Sequence, residues 1–423
     1  MLTRGRVVAL LTAALLGTGA SAGPATAVGP VTDAAFAPVD TPGAPLTVDP
    51  AAVERALACS PGVTGATRTP VLLLQGTGAT AKDNWSWTYQ PAFDALGVPW
   101  CALDLPEHAT ADIQQAGEYV VHALRTMAAR AGRRVSIVGH SQGGMVGRWA
   151  LRWWPDTRAL VDDLVGFAPS NHGTTRAVCS AEDPCSPAGW QQRDESDFMR
   201  ALNSRQETFA GISYTSIYTR VDETVQPNQD AETGSSSLRT GDGARTNVAT
   251  QDICPAAAYE HLLIGLVDPV AYALAIDALT HDGPADPARI DRGVCLQVLH
   301  PGIDPVTAPA DGAAAAISFQ SYRARTVPAE PALACYTTAS CPRSAPAAAC
   351  TPARRTTVTL ARLARVRVTV NGRRTAVTRT RTGRVRVRLD LRRRAGTTVV
   401  VRARGTDARG RRVSVVRRVV VCG

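Results

Sequence analysis

The stretch VSIVGHSQGGM, residues 135–145, limits what this chain can fold into more than any other part of it. Apolar and β-favouring residues run straight into Gly-His-Ser-Gln-Gly. Met145, Trp149 and Trp153 then follow at helical spacing until Pro155 ends the helix. A Gly-x-Ser-x-Gly motif between a strand and a helix holds its serine on a sharp, strained turn, and side chains at the flanking positions would collide with the neighbouring elements. Ser141 is therefore the expected nucleophile.

The flanking sequence fits that turn. Residues 70–75, 99–103, 134–138, 161–167 and 212–218 read as short apolar strands, the first entering a Gly-Thr-Gly loop. Residues 110–131 follow a helical period stopped by Gly132, and 262–279 form a covering helix that Pro269 must interrupt. Strands and helices alternating at this spacing predict an α/β fold, a mostly parallel sheet with helices on both faces.

A serine hydroxyl needs a base, and in this fold type the chain order is Ser, then Asp or Glu, then His. His108, His122 and His140 fall out by order, and His172 follows its strand too closely. His281 and His300 sit in turn-forming sequences, where solvated loop histidines are expected. His261 follows an expected strand at 247–253 and opens an apolar helix, so it is the expected base. Asp222, just past the strand at 212–218, is the expected acid, with Glu223 its near neighbour.

These motifs together with residues 149–169, Trp190-Gln191-Gln192 and Asp222-Glu-Thr-Val-Gln-Pro227 resemble the lipase B family of Candida antarctica and its bacterial relatives. The likeness runs over roughly residues 50–305. It implies an α/β-hydrolase fold and a serine carboxylester hydrolase acting on lipid-like esters, with Ser141, Asp222 and His261 as triad. It also implies an oxyanion hole from the Thr77 and Gln142 N–H groups plus the Thr77 hydroxyl, substrate contacts by His140 and Gln192, and disulfides Cys59–Cys101 and Cys254–Cys295. His140 stands where the fungal enzyme has tryptophan, implying a roomier alcohol side, and Ser170 replaces an aspartate. The expected lid, about 174–202, is polar and holds Cys179 and Cys185, six residues apart. An acyltransferase or polyesterase on the same site, or a surface-binding protein with an incidental hydrolase domain, are the alternatives.

Residues 1–22 have the pattern of a secretion signal: Arg4 and Arg6, a short apolar run, then Ala-Ser-Ala. Residues 23–49 form an extended lead-in. Ten cysteines suit an oxidising compartment, so a secreted monomer without a transmembrane segment is expected. No Cys-x-x-Cys or zinc-type histidine spacing occurs, and neither metal nor cofactor is expected. After a catalytic domain at 50–305, residues 306–350 read as an Ala/Pro-rich, Cys-containing connection. Residues 351–423 alternate valine with arginine around Asn371-Gly372, which predicts a small all-β accessory domain. From Arg354 onward stand 22 arginines against Asp390 and Asp407, within a net charge of +10. Contact with an anionic cell surface or lipid is expected there, without specific nucleic-acid reading, since no aromatic residue follows Tyr336. Cys335, Cys341, Cys350 and Cys422 allow three pairings, of which Cys350–Cys422 would pin both ends of that domain.

Overall fold

The computed structural model describes residues 33–341, 355–392, 398–406 and 411–420. The expected signal at 1–22 and both Cys350 and Cys422 lie outside the described residues. Strands β1 (Leu57–Cys59), β2 (Val71–Leu74), β3 (Trp100–Leu103), β4 (Val135–His140), β5 (Val161–Phe167), β6 (Ser213–Tyr218) and β7 (Ala244–Ala249) form one sheet. Its order is β1-β3-β2-β4-β5-β6-β7, with β1 antiparallel to β3 and every other neighbour parallel. β2 and β4 are buried at every residue, as continuous apolar runs must be when both faces are covered.

Alternation along the strands divides the core in two. Leu72, Leu74, Ile137 and Leu164 point to the face covered by α2 (Ile113–Ala131) and α3 (Gln142–Trp153), which follow α1 (Ala81–Trp85) in the chain. Val71, Leu73, Val138 and Val165 point to the opposite face, under α5 (Pro269–Thr280), which follows α4 (His261–Leu266). The expected helix over 110–131 begins at Ile113, because the Asp112 carboxylate accepts the Gln114 N–H at 2.9 Å and caps it there. Gly132, at φ 69°, closes it. The apolar run 261–280 is long enough to cross a membrane by composition, but it is mostly buried and breaks in two. Asp268 caps the second part and Pro269 is its first residue, where the missing N–H costs nothing.

Two further features differ from the sequence reading. The strand expected at 247–253 ends at Ala249, because Asp252 accepts the Ala249 N–H at 3.2 Å and turns Thr250–Ile253 into a helical turn. The segment 306–350 is not merely a connection. Its first part is α6 (Ala308–Ser321), beside α1, and residues 322–341 run back over the α/β domain. Trp190 donates to the Val327 carbonyl, Glu330 accepts the Phe198 N–H at 2.8 Å, and the Tyr336 hydroxyl accepts from the Trp149 indole at 3.0 Å.

Disulfides join Cys59–Cys101, Cys179–Cys185, Cys254–Cys295 and Cys335–Cys341. The last excludes the two arrangements that would join Cys335 to Cys350 or to Cys422.

The C-terminal region has its own core. One sheet holds β10 (Arg373–Arg374), β9 (Ala364–Val370), β13 (Thr398–Thr406) and β14 (Arg412–Val420), in that order. The other holds β11 (Thr378–Arg379), β12 (Arg384–Asp390) and β8 (Arg355–Arg362). Val385, Val387 and Leu389 from one sheet meet Val399, Val401 and Ala403 from the other. Asn371 and Gly372, at φ 47° and 81°, make the β9–β10 turn.

Candidate active site

Ser141 joins β4 to α3 at φ 53° and ψ −122°, a conformation L-residues rarely adopt. The two glycines of the motif are required by what surrounds them. A Cβ on Gly139 would lie 2.3 Å from the Gly143 carbonyl carbon, and one on Gly143 would lie 2.0 Å from the Leu74 oxygen. The turn thus wedges the start of α3 against the end of β2 and aims the serine outward.

His261 is the first residue of α4, whose N-terminus is capped by Glu260 through the N–H groups of Leu262 and Leu263. Its Nε2 stands 3.0 Å from Ser141 Oγ and its Nδ1 3.0 Å from Asp222 Oδ2. Asp222, 2% exposed, follows β6 in a turn whose Thr224 and Val225 N–H groups donate to Oδ1 at 2.9 and 2.7 Å. Oδ2 is left to face the imidazole. A carboxylate only accepts, so Nδ1 carries the proton and Nε2 is free to accept from the serine hydroxyl. Glu223 accepts the His261 backbone N–H at 3.3 Å and so holds that residue's main chain, not its ring.

The other histidines lie elsewhere. His172 pairs with Glu207 at 3.2 Å, and His281 lies beside Asp277 with an exposed side chain. His300 departs from the expected solvated loop residue: it is 1% exposed and stacked on Tyr272. Its turn is folded over α5, and burial pushes its pKa down to about 4.

His140 is held through both ring nitrogens. Its Nε2–H donates to the His261 carbonyl at 2.9 Å, which leaves Nδ1 bare to accept from the Asn84 amide at 3.1 Å. Asn84 Oδ1 in turn accepts the Gly76 N–H at 3.0 Å, fixing the amide's orientation. One line of hydrogen bonds therefore runs from the loop after β2, through α1 and the elbow, to the backbone of the candidate base. Burial, with the neighbouring His261, pushes the His140 pKa down to about 3, so its ring is neutral. His140 lines the cavity, yet only 3% of it is exposed.

Gln142 is the first residue of α3, where a helix leaves N–H groups without an internal partner. Thr77 lies in the Gly76–Gly78 loop, and its hydroxyl donates to Gln142 Oε1 at 2.7 Å. Gln192 steadies both: its Nε2 donates to Thr77 Oγ1 at 2.9 Å and to Gln142 Oε1 at 3.3 Å, while its Oε1 accepts from Ser170 at 2.9 Å. Gln192 therefore acts on the loop geometry as well as lining the cavity.

Above Ser141 opens a cavity of about 640 Å³ with a mainly apolar lining. Val225, Leu262, Leu266, Ala316 and Phe319 supply walls, and Thr77, His140 and Gln192 lie at its polar floor beside Ser141 and His261. Sequence reasoning missed Asn84, Gly265 and Phe319. Asn84 carries no motif. Gly265, in the middle of an apolar helix, is the kind of signal that marks close approach. Phe319 comes from a segment read as a connection, and its ring sits 2.5 Å from where a Gly78 Cβ would be.

Residues 110–253 match the family model for lipase (class 2). Lipase B of Pseudozyma antarctica is 31% identical over 205 residues, a match covering 48% of this chain and 59% of that protein. The crystal structure of Aspergillus fumigatus lipase B superimposes with a TM-score of 0.64 at 31% identity, over 72% of this chain and 76% of that one. The strand order, the serine turn and these likenesses agree, and the chain belongs to the lipase B-like family of α/β-hydrolases.

Proposed function

We propose that this protein is a secreted, monomeric serine hydrolase of carboxylic esters with lipid-like, apolar acyl groups. Ser141 Oγ attacks the ester carbonyl as its proton passes to His261 Nε2. The Asp222 carboxylate holds the imidazole tautomer and stabilises the imidazolium. The Gln142 and Thr77 N–H groups and the Thr77 hydroxyl receive the developing oxyanion. For this the hydroxyl turns away from Gln142 Oε1, which keeps its bond from Gln192. The alcohol leaves with the proton from His261, and a water deprotonated by His261 then releases the acid. His140 acts as a positioning residue through the His261 main chain. Its imidazole takes less room than the fungal enzyme's indole, which favours esters of bulky secondary alcohols with weak enantiomer preference.

The observation that carries this reading is the unbroken Ser141–His261–Asp222 line at the floor of an apolar cavity. Disulfides, which persist in oxidising compartments, support secretion. The basic C-terminal domain is assigned an anionic partner and no part in the ester chemistry. The test is labelling by a fluorophosphonate together with a chain-length series of p-nitrophenyl esters. Wild type should be labelled and should hydrolyse the series, and Ser141→Ala should do neither. A Ser141→Ala variant that hydrolyses at the wild-type rate removes the proposal.

A further inference from the structure

The C-terminal sandwich carries rows of arginine on both of its outer faces. Along β12 burial alternates strictly: Val385, Val387 and Leu389 face the core, and Arg384, Arg386 and Arg388 are exposed. On the other sheet Val399, Val401 and Ala403 of β13 face the same core, which turns the exposed Arg402 and Arg404 the opposite way. The exposed Arg367 of β9 stands directly across from Arg404, and Arg384 is paired in register with Arg362. Like charges directly opposite in a sheet are destabilising, and each face carries such a pair. Asp390 is the only acid among the described residues of this domain. It is already engaged by Arg392 and Arg355, at 2.5 and 3.6 Å. Among the described residues, Arg367, Arg386, Arg388, Arg402 and Arg404 make no ion pair.

Unpaired rows of like charge attract polyanions, and their mutual repulsion is relieved when negative charge binds. The layout also narrows the shape of what binds. Alternate residues on a strand lie roughly 6.8 Å apart, so each row presents guanidinium groups in file. A flat bilayer can engage one outer face of a sandwich at a time, whereas a flexible chain can follow a row on one face and continue around an edge to the other. No aromatic side chain is available in this domain for stacking on bases. We propose that this domain binds a linear polyanion, a flexible polymer bearing phosphate groups in series, through both outer faces together. This rests on the anionic-partner reading above and is independent of ester hydrolysis.

The experiment uses the full chain and labelled long-chain inorganic polyphosphate, with binding read by anisotropy over a range of salt concentrations. Phosphatidylglycerol vesicles serve as the bilayer arm. Two triple variants separate the faces: Arg384→Gln, Arg386→Gln and Arg388→Gln on one, and Arg367→Gln, Arg402→Gln and Arg404→Gln on the other. Threonine, a good strand former, replaces glutamine wherever a variant's unfolding shows loss of the domain. Each triple should lower polyphosphate affinity at least about tenfold near 0.1 M salt and flatten its salt dependence, and the losses should multiply when combined. Ester hydrolysis should not change. Polyphosphate affinity within twofold of wild type in either triple overturns the two-face assignment. So does vesicle binding as tight as polymer binding that depends on one triple alone, which would make the domain a bilayer-docking module. Absence of binding to both probes overturns the anionic-partner reading itself.

Discussion

The ring of His140 fills the room that Gly265 leaves on α4: a Cβ at position 265 would lie 2.3 Å from His140 Cδ2. On helix propensity alone, Gly265→Ala should stabilise α4 by up to about 1 kcal/mol. Here the added methyl must displace the imidazole, and with it the bond to the His261 carbonyl. Misplacing a reacting group by about 1 Å costs roughly 10²-fold in rate. Gly265→Ala should therefore lower kcat by between about tenfold and that limit, with KM nearly unchanged. In a chain already carrying His140→Ala the collision is gone, so adding Gly265→Ala should change kcat less than twofold. Steady-state kinetics on a short p-nitrophenyl ester measure all three variants; simple multiplication of the two effects would show that the ring is not the link.

Asp222 and Glu223 are adjacent acids with different partners, the imidazole for one and the main-chain N–H of His261 for the other. Asp222→Asn should leave a folded protein with kcat reduced by up to about 10⁴-fold, as in other triads held in the wrong tautomer. Glu223→Gln, which keeps an acceptor oxygen, should cost little. Retained activity in the first variant with loss in the second would move the acid by one residue.

Thr77 offers two donors, and only one of them can be mutated away. Thr77→Val removes the hydroxyl and should lower kcat by about 10²–10³-fold, the usual loss for one oxyanion donor. Thr77→Ser should retain most activity. Equal kcat in wild type and Thr77→Val would leave the hydroxyl outside the oxyanion hole, bonded to Gln142 Oε1 at 2.7 Å.

Two buried groups on neighbouring turns should tilt stability with pH in opposite directions. Burial holds His300 near 4, below its ordinary value of about 6.5. As pH falls from 6.5 to 4 the unfolded chain gains a proton there that the folded protein does not, so stability is lost. Burial raises Asp268 to about 7. As pH rises from about 4 to 7 the unfolded chain releases a proton that the folded protein keeps, so stability is lost in that direction. Each slope is at most about 1.4 kcal/mol per pH unit. In urea titrations between pH 4 and 6.5, His300→Gln should lose less stability than wild type on acidification. Asp268→Asn, which preserves a cap, should lose less on raising the pH. Slopes unchanged from wild type would mean that these groups are not held as their burial implies.

The sequence by itself determined those features whose causes are local. Glycines at 139 and 143 mark a turn where a side chain would strike the adjacent backbone, and chain order narrowed the candidate base and acid to residues that the structure brings within 3.0 Å of their partners. Apolar runs and the Asn-Gly turn marked the strands, because alternation and turn chemistry act over a few residues. Tertiary structure alone decided what depends on distant parts of the chain meeting. His300 reads as a loop residue, and only the fold over α5 makes it a buried ring. The strand expected at 247–253 stops where a side-chain cap outweighs β propensity. Residues 306–341 look like a linker by composition, yet they close the cavity with Phe319 and brace the domain through Tyr336. The line from Gly76 through Asn84 and His140 to His261 joins residues far apart in sequence, and its reach is set by the three-dimensional course of the backbone.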